Sequence, residues 1–469
     1  MTETLTKGFS RAGVEALSRL KDEPAWMLEK RLAAWELYEQ TPAPLGRRGD
    51  LGILQRVARY HFEKLAPYAT NGHASSNGHA ALPTWESGLL VQHNASVIAR
   101  ELDPALAAQG VILTDLDTAV REYPDLVKQY FMTGVTAADN KYAALHGAFW
   151  SGGLFLYLPR NVVVDKPVLA RYLLDQDGGT SFAHTLIIAE ASSQLVYIEE
   201  TISSLPEGAT ALFNGAAEIF AKAGAQVQFN SVQDFGPGVY NLTNKRGVPE
   251  KDAYIHWIVA DLGADTTFAN LGTTLAGSGS NGDIVGVLFA TGDQHVQIQT
   301  LSDHENLSTS ANTYFKGVVD DAARVDFEGL IKVGHGAQQT NSYLSDHTLL
   351  LSDNARSESI PSLEIAANDV RASHGATTGQ IDSEQLFYLM CRGVPEDEAR
   401  RLIVQGFFEP VLDKIPSGEL RARLRASILR KLTKGQQTMD ESDWHDVTDQ
   451  WDIEGAGEEA APMLEGDDE

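Results

Sequence analysis

The sequence predicts a mainly β protein with flanking α structure, in which a parallel β-helix core sits between an N-terminal helical region and a small C-terminal helical module. Three observations carry this expectation. After Gly152 the chain gives way to short runs rich in β-branched and aromatic residues, such as "LFLYLP", "TLIIAE", "AYIHWIVADL" and "DIVGVLFAT". Turn-like stretches at Gly263-Ala264-Asp265, Thr291-Gly292-Asp293, Val319-Asp320-Asp321 and Ser352-Asp353-Asn354 recur at about 30 residues, the interval of a chain coiling into stacked rungs. Helical periodicity is confined to the two ends.

Taken in order, the first region covers residues 1–150. "PAWMLEKRLAAWELYEQ" opens on Pro24, suited to a first helical position, and spaces Trp26, Leu28, Leu32 and Trp35 mostly at helical steps. The polar stretch "ATNGHASSNGHAALP", residues 69–83, reads as a flexible loop; its Gly, Ser and Asn could not hold His73 and His79 rigidly around a metal. Helical patterns return in "LDTAVREYPDLVKQYF" and "DNKYAALHGAFW". The β-helix core then spans 151–375, with an ambiguous stretch at 207–225 that could carry a short helix. Each rung of such a coil pairs with the next, so both ends need a cap or a partner.

The C-terminal module covers 376–435. Asp382 with Gln385 three residues on resembles a capping box; Leu386, Phe387, Leu389 and Met390 supply an apolar face, and Gly393 stops the helix. A second helix starts at Pro395 and is expected to close at Gly406. A third places Leu420, Leu424, Ile428 and Leu432 on one side, with arginines around the rest. So small a module must lean on something. Residues 436–469 form an acidic flexible tail: from Thr438 on there are about a dozen acidic residues and no Lys or Arg, as in a solubilising end or a docking segment for a basic partner.

Composition excludes several classes. A net charge of -27 argues against nucleic-acid binding, which needs clustered Lys and Arg. No run approaches the roughly 20 apolar residues of a membrane span, and the N-terminus lacks a signal-peptide core, so a cytoplasmic protein is expected. The single cysteine, Cys391, excludes an internal disulfide and any site needing two thiolates from this chain, and reads as an inert, partly buried thiol.

Catalytic signatures are scarce. "GSGSNG", residues 277–282, fits G-x-G-x-x-G, but a strand follows it where a dinucleotide site needs a helix, so it reads as a rung turn. There is no phosphate-binding G-x-x-x-x-G-K-[ST], hence no nucleotide site in this chain. The pairs Glu199-Glu200 and Asp320-Asp321 point to opposite faces of a strand and cannot converge on a sugar; they read as solvated charges. His374, among Ser373, Gly375 and Ala376, is either an ordinary structural histidine or an open imidazole ligand for a borderline metal such as iron. As a ligand it would need co-ligands from another chain.

Three stretches carry a family resemblance: "RLKDEPAWMLEKRLAAW", "DNKYAALHGAFWSGGLFLYLPRNVVVDKP" and, above all, "SHGATTGQIDSEQLFYLMCRGVPEDEARRLIVQGFFEPVLDKIP" at 373–416. They resemble the SufB/SufD family of the SUF iron-sulfur cluster assembly machinery, and "TNSYLSDHTLLLS" with "SHGAT" resembles its SufD branch. The SufB branch carries a cysteine about 28 residues before the matching histidine, and "EHEAT" at the motif; here those places hold Asp346 and Gly375.

The resemblance implies a right-handed parallel β-helix and a non-catalytic subunit of an ATPase-driven complex. Its implied partners are a SufB-like paralogue and a SufC-like ABC ATPase, with a homodimer where SufB is absent. It also implies a transient Fe-S cluster shared with SufB at His374, with Asp346 as a weaker second oxygen ligand. The ATPase would be met by Gln385, Leu386, Phe387, Leu389, Arg392, Gly393 and Phe407. Reduced flavin is compatible with the family and undetermined by the sequence. Two alternatives stay open: a SufB-like self-pairing scaffold, and a β-helix carbohydrate-active enzyme, for which the sequence offers neither a secretion signal nor convergent acids.

Overall fold

A computed structural model describes residues 7–43, 57, 62–67, 86–415 and 418–433. The 69–83 loop and the acidic tail lie outside the described residues. Two units are distinguished, Met1–Lys414 and Ile415–Glu469, the second described through the helix Gly418–Leu432.

The core is a parallel β-solenoid of two facing sheets whose strands follow in sequence order, with nine parallel strands in the first and eight in the second among the described residues. The first sheet runs from Gly88–His93 through Val168–Leu174 to Val370–Gln380, the second from Leu154–Leu158 to Arg356–Ile365. A rung is one strand from each sheet joined by a turn. All four turn stretches expected from the sequence join a strand of the first sheet to the next strand of the second. Ala264 and Asp321 adopt φ +66° and +55° there, the left-handed conformation that a tight corner requires. "GSGSNG" is likewise a corner leading into the strand Asn281–Ala290.

Alternation along each strand sends every second side chain into the lumen between the sheets. Because the register is exact, like positions stack. Tyr197, Phe229 and Trp257 are registered on successive rungs, with ring centroids 4.9 and 5.0 Å apart, and all three are fully buried. Such pairs contribute about 0.5–1.5 kcal/mol each beyond the area they bury.

Four sequence expectations need correction. The first region is not purely helical: Gly88–His93 and Ser96–Leu102 form a hairpin that extends the first sheet, and Ile112–Asp115 pairs with the second. Residues 207–225 carry no helix but the strands Ala211–Phe213 and Ala216–Ala221. The latter is buried throughout and paired on both sides, so sheet pairing overrides its alanine-rich helix propensity. The second C-terminal helix does not end at Gly406 but runs Glu396–Leu412, because Val404, Phe408, Val411 and Leu412 form a buried stripe across the glycine. Cys391 is exposed rather than partly buried.

The helical region covers the outer face of the second sheet over its early rungs, where Trp35 and Phe149 pack with Phe182, Leu212, Leu242 and Phe268. Arg31 pins this cover. Fully buried, it pairs with Glu23, donates to the carbonyls of Ala148 and Trp150 at 3.0 Å, and lies 4.5 Å from the Trp150 ring centroid. At the other end, helix Glu396–Leu412 rests on the outer face of the first sheet. Phe408 meets Phe289 with centroids 6.2 Å apart, and Lys316 Nζ donates to the Phe407 carbonyl at 2.6 Å.

Candidate functional site at the open solenoid end

Among the described residues the last rung, Arg356–Ile365 and Val370–Gln380, has hydrogen-bonded strand neighbours on one side only. No described strand pairs with its outer backbone edge, and Leu363 and Ile365 are exposed beside it. Natural proteins cover or blunt such an edge, or use it for pairing.

His374, expected at the C-terminal limit of the β-helix core, lies inside the final strand, Val370–Gln380. It is registered with Leu344, a lumen residue, so it lies on the lumen-facing side of the last rung and is exposed because no further rung covers it. Asp346, two residues along from Leu344, is registered with Ala376 and shares that face. The two residues singled out from the sequence thus occupy neighbouring positions at the mouth. Across the lumen, Ser357 and Ser359 are registered with the core residues Val325 and Phe327.

Asp346 is 3 % exposed, and its Oδ2 has no hydrogen-bond partner among the described residues; the hydroxyls of Ser357 and Ser359 also lack one. Burial pushes the Asp346 carboxyl up to about 6, opposed by the Ser359 hydroxyl, which lies near it without meeting hydrogen-bond geometry. The folded protein therefore holds a proton here that the unfolded chain has already lost, so this group's contribution to stability is full below about pH 4 and lost as pH rises through about 6. Asp346→Asn is expected to stabilise the protein above pH 6 by about 2–3 kcal/mol and to change little near pH 4. Denaturant midpoints at the two pH values check this; equal shifts at both would contradict it.

Among the described residues no group of three His, Cys, Asp or Glu side chains could hold a metal ion. His374 and Asp346 can supply at most part of a ligand set.

The other predicted residues lie on the C-terminal helices. Asp382 caps Ser383–Cys391 by accepting from the Glu384 amide at 2.8 Å, and Gly393 follows the helix at φ +90°. This helix buries none of its residues: Phe387 is 68 % exposed, with Tyr388 and Met390 beside it, while Leu386 and Leu389 are half-buried and Gln385 and Arg392 exposed. Phe407 is half-buried, its ring 4.6 Å from the Lys316 ammonium. The anchoring role of Lys316 had no local sequence signal, since its partner lies 91 residues away.

Glu199 and Glu200 are not solvated. They do point to opposite faces as expected, but Glu199 pairs with Lys245 in the lumen at 2.8 Å and Glu200 pairs with Arg171 outside at 2.7 Å. Lys245 also donates to Ser231 Oγ, and Asp261 nearby is pushed up to about 6 by burial, against the pull of Lys245. The cavity they line measures about 30 Å³, room for roughly one water and not for a sugar ring.

A parallel solenoid whose last described rung carries an exposed imidazole, followed in the chain by a helix with an exposed apolar face, is the class of protein that the fold and site define. Comparison with known proteins gives the family. Residues 172–407 match the SUF system FeS cluster assembly, SufBD core domain, and residues 64–169 match the SufBD protein N-terminal region. The chain is 33 % identical over 430 residues to the iron-sulfur cluster assembly protein SufD of Bacillus subtilis, covering 89 % of this chain and 97 % of that one. It is 29 % identical over 427 residues to SufB of the same organism (87 % and 90 % covered) and 30 % identical to a SufBD family protein of Staphylococcus haemolyticus (87 % and 90 %). The chain belongs to the SufB/SufD family of the SUF iron-sulfur cluster assembly system.

Proposed function

We propose that this chain is a non-catalytic, SufD-type subunit that pairs through its open solenoid end with a cysteine-bearing, SufB-like member of its own family. The nascent Fe-S cluster is the cargo of that seam. His374 is its ligand from this side, Asp346 a weaker oxygen ligand, and the partner provides the thiolates that clusters favour. A SufC-like ABC ATPase, supplying the phosphate-binding loop this sequence lacks, binds the exposed face of helix Ser383–Cys391 around Phe387, with Gln385, Leu386, Leu389, Arg392, Gly393 and Phe407 contributing. The absence of a cysteine at position 346 favours the SufD role over a SufB-type scaffold.

The observation that carries this reading is the last rung, which no further described strand covers, with His374 exposed on it. Two such edges complete each other's backbone hydrogen bonds when placed end to end. A second reading, self-pairing of two copies, draws on the similar identity to both branches of the family. Light scattering after gel filtration separates the two. Mixed with a cysteine-bearing family member and the ATPase, the chain is expected to leave its homodimer and elute in a stable mixed complex. Persistence of the homodimer alongside unbound partners would reject the pairing. No helix among the described residues is long and apolar enough to cross a membrane, in keeping with assembly in the cytoplasm.

A further inference from the structure

Far from the open end, where the helical region meets the solenoid, three fully buried titratable side chains form one line of hydrogen bonds. His146 Nδ1 donates to the Asn214 carbonyl at 2.8 Å; His146 Nε2 and His184 Nδ1 lie 3.0 Å apart; His184 Nε2 and Glu218 Oε2 lie 3.0 Å apart. Glu218 is already an acceptor four times over. The backbone amides of Thr133, Gly134 and Val135 donate to its Oε1 at 2.7–3.0 Å, and that of Met132 to its Oε2 at 2.6 Å.

Counting protons gives the state of this line. Three contacts need three protons, and the Asn214 carbonyl has none to give. Two neutral imidazoles carry only two. The third sits on the carboxyl of Glu218, on His184 or on His146, where a doubly protonated ring would donate to a neutral His184. A carboxylate enclosed by four backbone amides lies in an anion-binding nest, which strongly favours its ionised form.

We propose that the His146–His184–Glu218 line is a sealed proton-binding site, with His184 a buried imidazolium, Glu218 an ionised carboxylate and His146 a neutral ring protonated at Nδ1. The site fastens the helical region to the solenoid, since it joins helix Lys141–Phe149, the 132–135 connection and the strands His184–Ala189 and Ala216–Ala221. His146 fits the neutral role: burial, then the neighbouring His184, holds it well below the usual imidazole range, the Asn214 bond opposing and Arg31 adding to the depression. The other charges facing the line are cations committed elsewhere. Lys30 donates to the Phe131 carbonyl, Arg31 pairs with Glu23, and Arg246, beside Gly134, faces Asp139 at 3.7 Å. Lys128 lies near Lys30. These positive charges oppose a second cation in the line, so the imidazolium rests on the carboxylate 3.0 Å away.

A substitution separates this arrangement from one with a protonated glutamate. In Glu218→Gln the carboxamide Nε2 donates to His184, so the line is complete with two neutral rings and one proton fewer, at the loss of the Met132 amide bond. The test is nitrogen-15 NMR of histidine side chains in the full chain at about pH 7.5, where exposed imidazoles are mostly neutral. The ring of His184 is identified by its N–H···N coupling to a neutral neighbour. The wild type is expected to show both nitrogens of that ring protonated, and Glu218→Gln only one, with a lower melting temperature. A singly protonated His184 in the wild type overturns the proposal even if the variant does not fold; so does a doubly protonated ring in a folded variant.

Discussion

Replacing His374 by alanine is expected to lower the cluster yield of the assembled complex by roughly tenfold or more while leaving the complex itself intact. The two halves of this outcome have separate causes. The imidazole is exposed on a strand paired on one side, so its removal leaves no cavity and costs the fold only about 0.5 kcal/mol. Its position over Leu344, on the face that Asp346 shares, means that no other imidazole of the last rung replaces it at the mouth. Acid-labile sulfide and visible absorbance, measured after anaerobic reconstitution of equal amounts of complex, read the yield. A yield within about twofold of wild type would remove His374 from the ligand set.

Phe387→Ala is expected to weaken binding of the ATPase by about 2–4 kcal/mol, or roughly 30- to 1000-fold, with no loss of folding stability. A phenylalanine 68 % exposed contributes little to its own fold, and Tyr388 and Met390 of the same helix are exposed beside it. An aromatic anchor flanked by such residues has the composition of an interface hot spot. The helix reaches this position on a chain fixed elsewhere, by Phe408 on Phe289 and Lys316 on the Phe407 carbonyl, so truncating Phe387 leaves the seat untouched. Titration calorimetry reads the affinity, and gel filtration with the SufB-like partner is the control. An unchanged affinity would move the ATPase site to another face, whereas loss of both partners would point to misfolding.

What the sequence reveals here follows from where each signal resides. Rung corners are legible because a left-handed residue at a tight turn restricts composition locally, as at Ala264 and Asp321. Strands rich in Val, Ile and aromatics are legible for the same reason. The stretch at 216–221 is not: Ala, Glu, Ile and Phe suit a helix equally, and only neighbours about 30 residues away on each side make it a strand. Gly406 misleads in the opposite sense, since a buried stripe outweighs the roughly 1 kcal/mol that a glycine costs a helix.

The site divides in the same way. His374 and Asp346 stand out through the motif and the spacing between them, yet their shared face at an open end depends on the register of Val370–Gln380 with Thr340–Leu350. The lumen pair Glu199–Lys245 and the line from His146 to Glu218 join residues 46 and up to 72 positions apart, distances over which no periodicity reports.

The most direct test of the shared-seam account is the cluster content of the isolated chain against that of the chain joined to its cysteine-bearing partner, both exposed anaerobically to ferrous iron and sulfide. The account predicts no cluster on the isolated chain, and a cluster on the pair that disappears with His374→Ala. A stable cluster on the chain alone would contradict it.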